Sequence, residues 1–351
     1  MTVNDLPLKD PDAVWPSLEE LLAETHVVSI PLNTKFRGVR HREAAIFLGG
    51  NRPSEFSPFL EYHVPEAATW LAAALNYGYG PAVEQTRPTV PVNATVPAIQ
   101  PEEIPELITR YGNPDQLHTV KVKVAERGEN LATDIARVRT VRDLLPHAKV
   151  RIDANEGYSV AAALELLTEI ANVELEYAEQ PVAGIEDLAR LREQLRARGI
   201  DTLIAADEAV RKSADPLRVA QLGAADLIVV KAQPLGGIRR ARAIITEAGL
   251  PAVISSALDT GVGINMGAAL AASLPELPFA CGLATGALYV DDILTTASAE
   301  SLYAVPGRLA PTEIAVDPEK LRQYAAAPER EQFWRERIRA CFSQLLATGE
   351  N

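Results

Sequence analysis

Five short apolar runs, each ending in a charged residue, constrain this 351-residue chain more than any other feature. The charged residues are separated by 30, 26, 28 and 24 positions, and helix-like sequence fills each interval. Strands and helices that alternate at this period are typical of βαβ units and therefore of a parallel sheet. In a (β/α) barrel the carboxyl ends of all strands open on one face, where active sites form. The five charged residues are Lys123, Asp153, Glu179, Asp207 and Lys231.

Eight strands can be predicted in this alternating part of the chain, which favours a closed barrel over an open sheet. An open dinucleotide-binding sheet would need a glycine-rich loop after its first strand, and none follows the first predicted strand, residues 92–96. We therefore predict a modified TIM (β/α) barrel over residues 91–285, with a glycine-rich helix at 261–273 between its last two strands. The remaining strands are predicted at 119–124, 149–154, 175–179, 202–207, 226–231, 252–256 and 279–283.

Residues 1–90 lack the alternation of strand and helix. Two strand-like segments, 25–32 and 42–48, precede a helix at 65–77 that opens on a proline. Strands followed by a helix, without βα alternation, suggest a separate α+β capping domain.

The C-terminal segment, residues 286–351, also departs from the barrel period. Apolar side chains at helical spacing between residues 330 and 346 predict an amphipathic helix. We expect this helix to pack on the cap or on the barrel exterior, so that the segment completes the capping domain.

The net charge of 34 − 47 = −13 argues against nucleic acid or an anionic membrane surface as a partner. Two cysteines, Cys281 and Cys341, are too few for a disulfide framework and fit a reducing cytosol. The chain shows no signal-peptide pattern and no apolar run of the roughly 20 residues that would span a bilayer. We expect a cytoplasmic protein whose partner is a small molecule.

The three carboxylates that end consecutive strands, Asp153, Glu179 and Asp207, are expected to lie side by side on one rim. Three acidic groups this close repel one another unless a cation lies among them. Oxygen ligands alone favour a hard ion such as Mg²⁺ or Mn²⁺. A single acid at a strand end more commonly caps the next helix or pairs with a neighbour, but three in register with the barrel period favour the metal site.

Lysines flank this arc of carboxylates. Lys121 and Lys123 lie two residues apart on one strand and point to the same side, and Lys231 ends a strand across the barrel. Buried ammonium groups are costly unless they are used, although an exposed edge strand would also explain the first pair. A metal and two lysines suit proton abstraction next to a carboxylate, because the enediolate must be stabilised as it forms. A second cation near a lysine lowers its pKa and allows it to act as a base.

These motifs resemble those of the enolase superfamily. The lysine that ends the sixth strand resembles the lysine found there in its muconate-lactonizing subgroup. Within that subgroup, four further stretches resemble the o-succinylbenzoate synthase family. The superfamily motifs are Lys-x-Lys at 121–123, Asp-Ala-Asn at 153–155, Glu-Gln-Pro at 179–181, Asp-Glu at 207–208 and Lys231; the family stretches are 36–43, 55–59, 253–256 and 282–286.

The resemblance implies a lyase of menaquinone biosynthesis that performs a Mg²⁺-dependent syn-dehydration of 2-succinyl-6-hydroxy-2,4-cyclohexadiene-1-carboxylate. It implies that Asp153, Glu179 and Asp207 bind the metal. Lys123 would remove the α-proton and then protonate the departing hydroxide on the same face. Lys231 would stabilise the enolate as a cation on the opposite face.

The resemblance also implies residues that contact the substrate. Lys121 would tune the pKa of Lys123. Arg151 has the same strand parity as Asp153, so it is expected to point inward and matches a substrate-contacting arginine of the family. Ser255 and the backbone of Gly282 match positions that receive the succinyl group. Members of the family include monomers, and we expect a monomer here.

Two further groups of residues have competing interpretations. Asn155 and Glu208 follow metal ligands and would either hydrogen-bond to those ligands or cap the helices that follow. Arg37, Arg40 and Arg42 in the predicted cap would either close over a dianionic substrate or form a solvated hairpin.

Other functions within and outside the superfamily stay open. Residues 283–285 carry no acid, unlike the usual dipeptide epimerases and lactone-forming cycloisomerases. N-succinylamino acid racemase stays an alternative, because some relatives in the family perform both reactions in one site. The neighbour of Glu179 is Gln180, where many relatives have a second glutamate. From a different class, a barrel that binds a small anion without catalysis is the remaining alternative.

Overall fold

The cap is built on an antiparallel sheet and a helix. β1 (Thr25–Phe36), β2 (Val39–Phe47) and β3 (Ser54–Phe56) pair in the order β1-β2-β3. α1 (Leu18–Ala23) precedes the sheet and α2 (Val64–Tyr79) follows it. Both predicted strands and the predicted helix are confirmed, whereas the short β3 was not predicted. The computed structural model describes residues 6–36, 38–211 and 217–349.

The barrel contains a seven-stranded parallel sheet that runs from β5 to β11 in unbroken sequence order. Each neighbouring pair is joined through a helical crossover, as the 24- to 30-residue period predicts. A two-stranded antiparallel ribbon, β4 with β12, lies beside it. The strands are β4 (Val90–Pro91), β5 (Ala94–Val96), β6 (Thr119–Lys123), β7 (Lys149–Asp153), β8 (Tyr177–Glu179), β9 (Leu203–Ala206), β10 (Leu227–Val230), β11 (Ala252–Ile254) and β12 (Arg308–Leu309).

The crossover helices begin at side-chain caps that the sequence supplies. Asn130, Ser159 and Thr260 accept hydrogen bonds from backbone N–H groups in the first turns of the helices that follow them. The sequence also predicts a helix at 215–222 between β9 and β10, and residues 215 and 216 of it lie outside the described residues. No helix in the described part of the chain is both long and apolar enough to cross a membrane. The helices are α3 (Ile104–Thr109), α4 (Leu131–Leu144), α5 (Val160–Glu169), α6 (Ile185–Ala197), α7 (Glu208–Arg211), α8 (Arg218–Gln221), α9 (Ile238–Ala248), α10 (Gly261–Ser273), α11 (Thr296–Leu302), α12 (Pro318–Gln323) and α13 (Pro328–Gly349).

The ring closes through single bridges instead of a regular eighth strand. Cys281 pairs with Val92 and Gly282 pairs with Ser255, both in parallel orientation, so residues 281 and 282 span the gap between the first and last strands of the sheet. The segment 279–283, predicted as the eighth strand, therefore lies in the expected place. It pairs through isolated bridges at residues 281 and 282 instead of forming a regular strand. Its position brings Gly282 against the end of β11.

The period-two alternation of the strands divides the inside of the barrel into an apolar floor and a charged rim. The floor is a separate hydrophobic cluster that includes Tyr177, Ala205, Val229 and Val253. Two residues further along each of these strands, the inward-pointing side chains are charged or polar. The charged rim therefore lies at the carboxyl ends of the strands, while two further inward-pointing cations, Lys121 and Arg151, lie one layer below it.

α13 packs on the cap, along α2. Trp334 is fully buried, stands edge-on to Phe56 of β3 and donates from Nε1 to Glu43 Oε2 at 2.8 Å. Arg337 donates to the backbone carbonyls of Phe59 and Tyr62 at 2.9 and 2.7 Å. The C-terminal helix thus supplies both apolar and polar contacts to the capping sheet.

Cap and barrel are joined by a buried carboxylate of the cap. Glu55 on β3 accepts hydrogen bonds from the Thr260 hydroxyl (2.6 Å) and from the Gly263 backbone N–H (3.0 Å) at the start of α10. Burial first, and the charge of nearby Asp259 second, raise the pKa of Glu55 to about 7. Burial likewise raises the pKa of Asp259 to about 6. Two buried acids therefore face each other at this joint.

Replacement of Asp259 by asparagine should make the folded protein less sensitive to alkaline pH. A carboxyl whose pKa is raised on folding contributes less stability as pH rises through the interval between its unfolded and folded values. The variant lacks this loss, so between pH 5 and 8 it should gain on the order of 2 kcal/mol relative to the original chain. Urea unfolding at both pH values measures the difference. The exposed Asp143→Asn should show none, and a gain of equal size there would contradict the role of Asp259.

Candidate active site

The three carboxylates lie next to one another at the rim. Asp153 ends β7, Glu179 ends β8, and the two residues are register partners. Asp207 immediately follows β9. Each of the three is about 1% exposed. The barrel period therefore places these three acids side by side and out of water.

Each carboxylate is paired with a lysine. Lys121 Nζ lies 3.0 Å from Glu179 Oε2 and 3.1 Å from Asp153 Oδ2. Lys123 Nζ lies 2.5 Å from Asp153 Oδ2, and Lys231 is ion-paired with Asp207. Lysines from β6 and from the end of β10 thus reach the same cluster from opposite sides.

The two lysines of β6 have opposite pKa shifts. Burial lowers the pKa of both, but the charges of Glu179 and Asp153 outweigh it at Lys121 and raise that pKa well above its ordinary value. For Lys123, burial and the neighbouring Lys121 charge outweigh the attraction of Asp153, so its pKa is lowered. One lysine is therefore held as a cation, while the other is moved towards the range in which it can accept a proton.

The pKa values of Asp153 and Glu179 are also shifted in opposite directions. The lysine charges outweigh burial at Asp153 and lower its pKa. Burial, followed by repulsion from Asp153, raises the pKa of Glu179 to about 7. Among the described residues no three His, Cys, Asp or Glu side chains are grouped so that they could hold a metal ion. In this structure the three rim carboxylates are ion-paired with lysines. The donors are nevertheless what a hard divalent ion requires: carboxylate oxygens from three adjacent strand ends.

A cavity of about 30 Å³ lies between the three lysines and the end of β11. The predicted substrate-binding residues Ser255 and Gly282 line it. Phe36 of the cap covers one side, with its ring centre 5.4 Å from Lys123 Nζ. A larger cavity of about 520 Å³ shares Phe36, Lys123 and Asn155 with the first. The cap therefore forms one wall of the site.

Arg151 points inward, as its parity predicts, but it lies one layer below the rim. Its side chain is fully buried, and its Nε donates to Glu176 Oε2 at 2.6 Å. Its Nη1 donates to Asn93 Oδ1 at 3.0 Å and to the Ala280 carbonyl at 2.7 Å. It stands over the ring of Tyr177, 4.7 Å from the centre. Arg151 is not among the described residues that line the cavity, so its contact with substrate stays a prediction.

Asn155 and Glu208 connect neighbouring strand ends. Asn155 Oδ1 accepts from Lys123 Nζ at 2.6 Å, and its Nδ2 donates to Glu208 Oε1 at 3.2 Å. Glu208 follows Asp207 and is about 2% exposed. The structure thus places both residues beside the lysine and the carboxylates.

Of the two predicted cap arginines that the structure describes, Arg40 is exposed on the β1–β2 hairpin, as the solvated-hairpin alternative predicts, whereas Arg42 fits neither alternative. Arg37 lies outside the described residues. Arg42 is 4% exposed and donates to backbone carbonyls of the barrel, including that of Leu258 at 2.9 Å. It is therefore neither in a solvated hairpin nor in the wall of the cavity.

Gln180 is a positioning residue whose role the sequence analysis did not predict. The only signal in the sequence was a glutamine where many relatives have a second glutamate. It is fully buried, and its Oε1 accepts from the backbone N–H groups of Asp207 and Ala209, both at 3.0 Å. Its Nε2 donates to the Val182 carbonyl at 2.9 Å. A carboxylate could make the first two bonds but not the third. The amide therefore fixes the backbone that carries Asp207 without adding negative charge to the rim.

Replacement of Gln180 by leucine should destabilise the fold by about 3 kcal/mol, because two buried N–H groups lose their acceptor. Urea denaturation of the purified variant measures the loss. The control is Gln221→Leu at an exposed site on α8, which should change stability little. Equal stability of the two variants would contradict the importance of these bonds.

Strained backbone is concentrated at this rim. Six described residues other than glycine have positive φ, and five of them follow the carboxyl ends of strands. Such conformations are uncommon for side chains with a Cβ and are retained where the surroundings enforce them. The five are Ala125 (φ 61°), Asn155 (44°), Glu156 (69°), Gln180 (38°) and Leu258 (60°).

Two family models match the two parts of the chain. Residues 27–78 match the enolase N-terminal domain-like family, and residues 103–307 match the enolase C-terminal domain-like family. The solved structure of muconate lactonizing enzyme from Pseudomonas fluorescens superposes with a TM-score of 0.70 at 18% identity, covering 86% of this chain and 98% of that one. The N-succinyl Arg/Lys racemase of Bacillus cereus gives the same TM-score and identity, covering 86% and 97%. At these identities the likeness shows the fold, a capped (β/α) barrel.

Fold and family models together define the class as the enolase superfamily. Among named relatives, o-succinylbenzoate synthase of Mycobacterium marinum is 47% identical over 330 residues, which is 94% of this chain and 96% of the relative. The protein of the same name from Mycolicibacterium smegmatis is 46% identical over 331 residues, covering 94% and 98%. The chain belongs to the o-succinylbenzoate synthase family.

Proposed function

We propose that this chain is a lyase, an o-succinylbenzoate synthase that dehydrates 2-succinyl-6-hydroxy-2,4-cyclohexadiene-1-carboxylate in menaquinone biosynthesis. The observation that carries the proposal is the pair Lys123 and Lys231, which approach one cluster of buried carboxylates from opposite sides. Full-length identity of 47% to relatives of this name supports the choice of substrate.

The carboxylates of Asp153, Glu179 and Asp207 would hold a Mg²⁺ ion, with Mn²⁺ as a possible substitute. When bound, the ion would supply Lewis-acid stabilisation of the negative charge that develops on the substrate carboxylate. Carboxylates engaged in this way would pair less tightly with the lysines. Lys123 would then lose the partner that favours its ammonium form.

Lys123 would act first as the base and then as the acid. Its neutral amine takes the proton from the carbon next to the substrate carboxylate, so the C–H electron pair moves into the enediolate. The resulting ammonium then gives that proton to the departing oxygen as the C–O bond breaks, and water leaves from the same face. The lowered pKa of Lys123 favours the first step, and Lys121, held as a cation, maintains that shift.

Lys231 would remain charged and stabilise the enediolate from the other face. Ser255 and Gly282 line the same cavity, where the Ser255 hydroxyl donates to the Gly282 carbonyl at 3.3 Å. Their polar groups would receive the succinyl part of the substrate. The active site would thus hold one end of the molecule at the lysines and the other at the barrel seam.

A second candidate is the racemisation of N-succinylamino acids. The same two lysines, one on each face, could remove a proton from one side and return it on the other. The likeness to the N-succinyl Arg/Lys racemase supports this geometry through the fold alone.

Loss of the ultraviolet absorbance of the cyclohexadiene substrate, with Mg²⁺ and with EDTA, tests the proposal. N-succinylamino acids in D₂O serve as the parallel arm, followed by α-proton exchange. Fast metal-dependent dehydration with negligible exchange is expected. Fast exchange with slow dehydration would identify the racemase, and the absence of both would leave only an anion-binding barrel.

We also propose that the protein works as a monomer in the cytoplasm. The described cysteines, Cys281 and Cys341, are both free and buried, which fits a reducing compartment. Light scattering of the purified chain measures its oligomeric state directly.

A further inference from the structure

Leu258, in the loop after β11, has an unusual backbone conformation for a branched side chain. Its φ is 60°, in the left-handed region, and it is about 1% exposed. It lines the same small cavity as Ser255 and Lys123. A residue with a Cβ leaves this region easily, so something must hold it there.

Two buried donors converge on the Leu258 carbonyl. Arg42 Nε donates at 2.9 Å and the Tyr289 hydroxyl at 2.7 Å. Arg42 also donates to the preceding carbonyl, that of Ala257, at 3.3 Å. Both donor residues are about 4% exposed. Burial raises the pKa of Tyr289 well above its ordinary value, so its hydroxyl keeps the proton that it donates.

Both donors belong to the cap side of the interface. Arg42 lies on β2, and Tyr289 forms a bridge with Leu32 of β1. The Tyr289 carbonyl accepts from Asn33 Nδ2 at 2.6 Å, and the N–H of Val290 donates to the Pro31 carbonyl at 3.0 Å. The capping sheet therefore helps to set the positions of both donors.

We propose that Arg42 and Tyr289 are positioning residues that hold the Leu258 peptide in its left-handed conformation. Docking of the cap thereby fixes the wall of the active site that faces the succinyl part of the substrate. The identity of the substrate rests on the proposed function. Substrate specificity would then depend on the hydrogen bonds of Arg42 and Tyr289 to Leu258, although neither donor touches the substrate.

Tyr289→Phe removes one of the two donors and leaves the ring in place. We expect KM for the cyclohexadiene substrate to rise about fivefold, the loss of one hydrogen bond, while kcat falls less than KM rises. The matched control is Tyr77→Phe. The Tyr77 hydroxyl is also buried, but it accepts from Asn265 on α10, away from the cavity lining. An unchanged KM in Tyr289→Phe, or an equal rise in both variants, overturns the proposal.

A double-mutant cycle separates positioning from general stabilisation. Glycine adopts positive φ without strain, so in a Leu258→Gly background the hydroxyl has little left to hold. The effect of Tyr289→Phe on KM should then shrink to less than twofold. An effect of undiminished size in the glycine background would mean that Tyr289 acts elsewhere.

Amide hydrogen exchange of the segment 255–260 tests the inference without substrate. Exchange should accelerate at least fivefold in Tyr289→Phe and Arg42→Gln. It should not change in Arg337→Gln, because the hydrogen bonds that this buried arginine donates in the described part of the chain go to cap carbonyls. If exchange of this segment is unchanged in Tyr289→Phe and Arg42→Gln, the inference is overturned, whichever substrate the enzyme uses. Failure of the original chain to dehydrate its substrate, with faster exchange in the two variants, would overturn the proposed function alone.

Discussion

Lys123→Arg should lose about 10⁴-fold in turnover, although the variant keeps a positive charge beside Asp153. A guanidinium cannot be deprotonated in a protein and so cannot accept the α-proton. Steady-state assay of the dehydration measures the loss, and thermal unfolding confirms that the variant is folded.

Lys231→Arg is the matched comparison, since it makes the same change at the opposite lysine. If Lys231 acts only as a cation, arginine should retain much of its effect and reduce turnover by about tenfold to a hundredfold. Equal losses at the two positions would contradict the division of roles. A larger loss at Lys231 would mean that the base and the cation are exchanged.

Glu179→Gln should abolish the response to Mg²⁺ and reduce turnover by about 10³-fold, because Lewis-acid stabilisation is worth several kcal/mol. The amide keeps the shape of the side chain but removes the central negative charge of the rim. For the original chain, Mg²⁺ at 100 times its Kd should stabilise the fold by about 2.7 kcal/mol. Thermal unfolding with and without the ion should show this gain in the original chain and none in the variant.

The matched control is Glu174→Gln, an exposed glutamate five residues earlier in the chain. It should retain both the Mg²⁺ response and the turnover. If Glu179→Gln still gained stability from Mg²⁺, the ion would bind elsewhere and the assignment of the three ligands would be wrong.

The barrel and its rim could be predicted because they depend on local period. Alternation along β6 to β10 determines which side chains point inward, and the spacing of 24 to 30 residues determines which strands are neighbours. Lys123, Asp153 and Glu179 follow from these two regularities alone. Their register in the structure, Lys123 with Asp153 and Asp153 with Glu179, has the expected order.

Contacts between distant segments could not be predicted in this way. Arg42 lies 216 residues from Leu258, and Glu55 lies 205 residues from Thr260, so no periodicity links them. Arg151 satisfies the parity rule, yet parity cannot distinguish the rim from the layer below it. The eighth strand has a strand-like sequence, but its length depends on how the ring closes, which no local pattern determines.

The positive-φ residues of the rim have a consequence for laboratory evolution. Selection for heat resistance alone would favour glycine at the half-buried Ala125 and Glu156, since relief of a left-handed conformation is worth roughly 1 kcal/mol per residue. The same replacements would remove side chains and loosen loops next to the lysines. Heat-selected lineages should therefore gain melting temperature while their turnover declines, whereas a screen that also scores product formation should leave these positions unchanged.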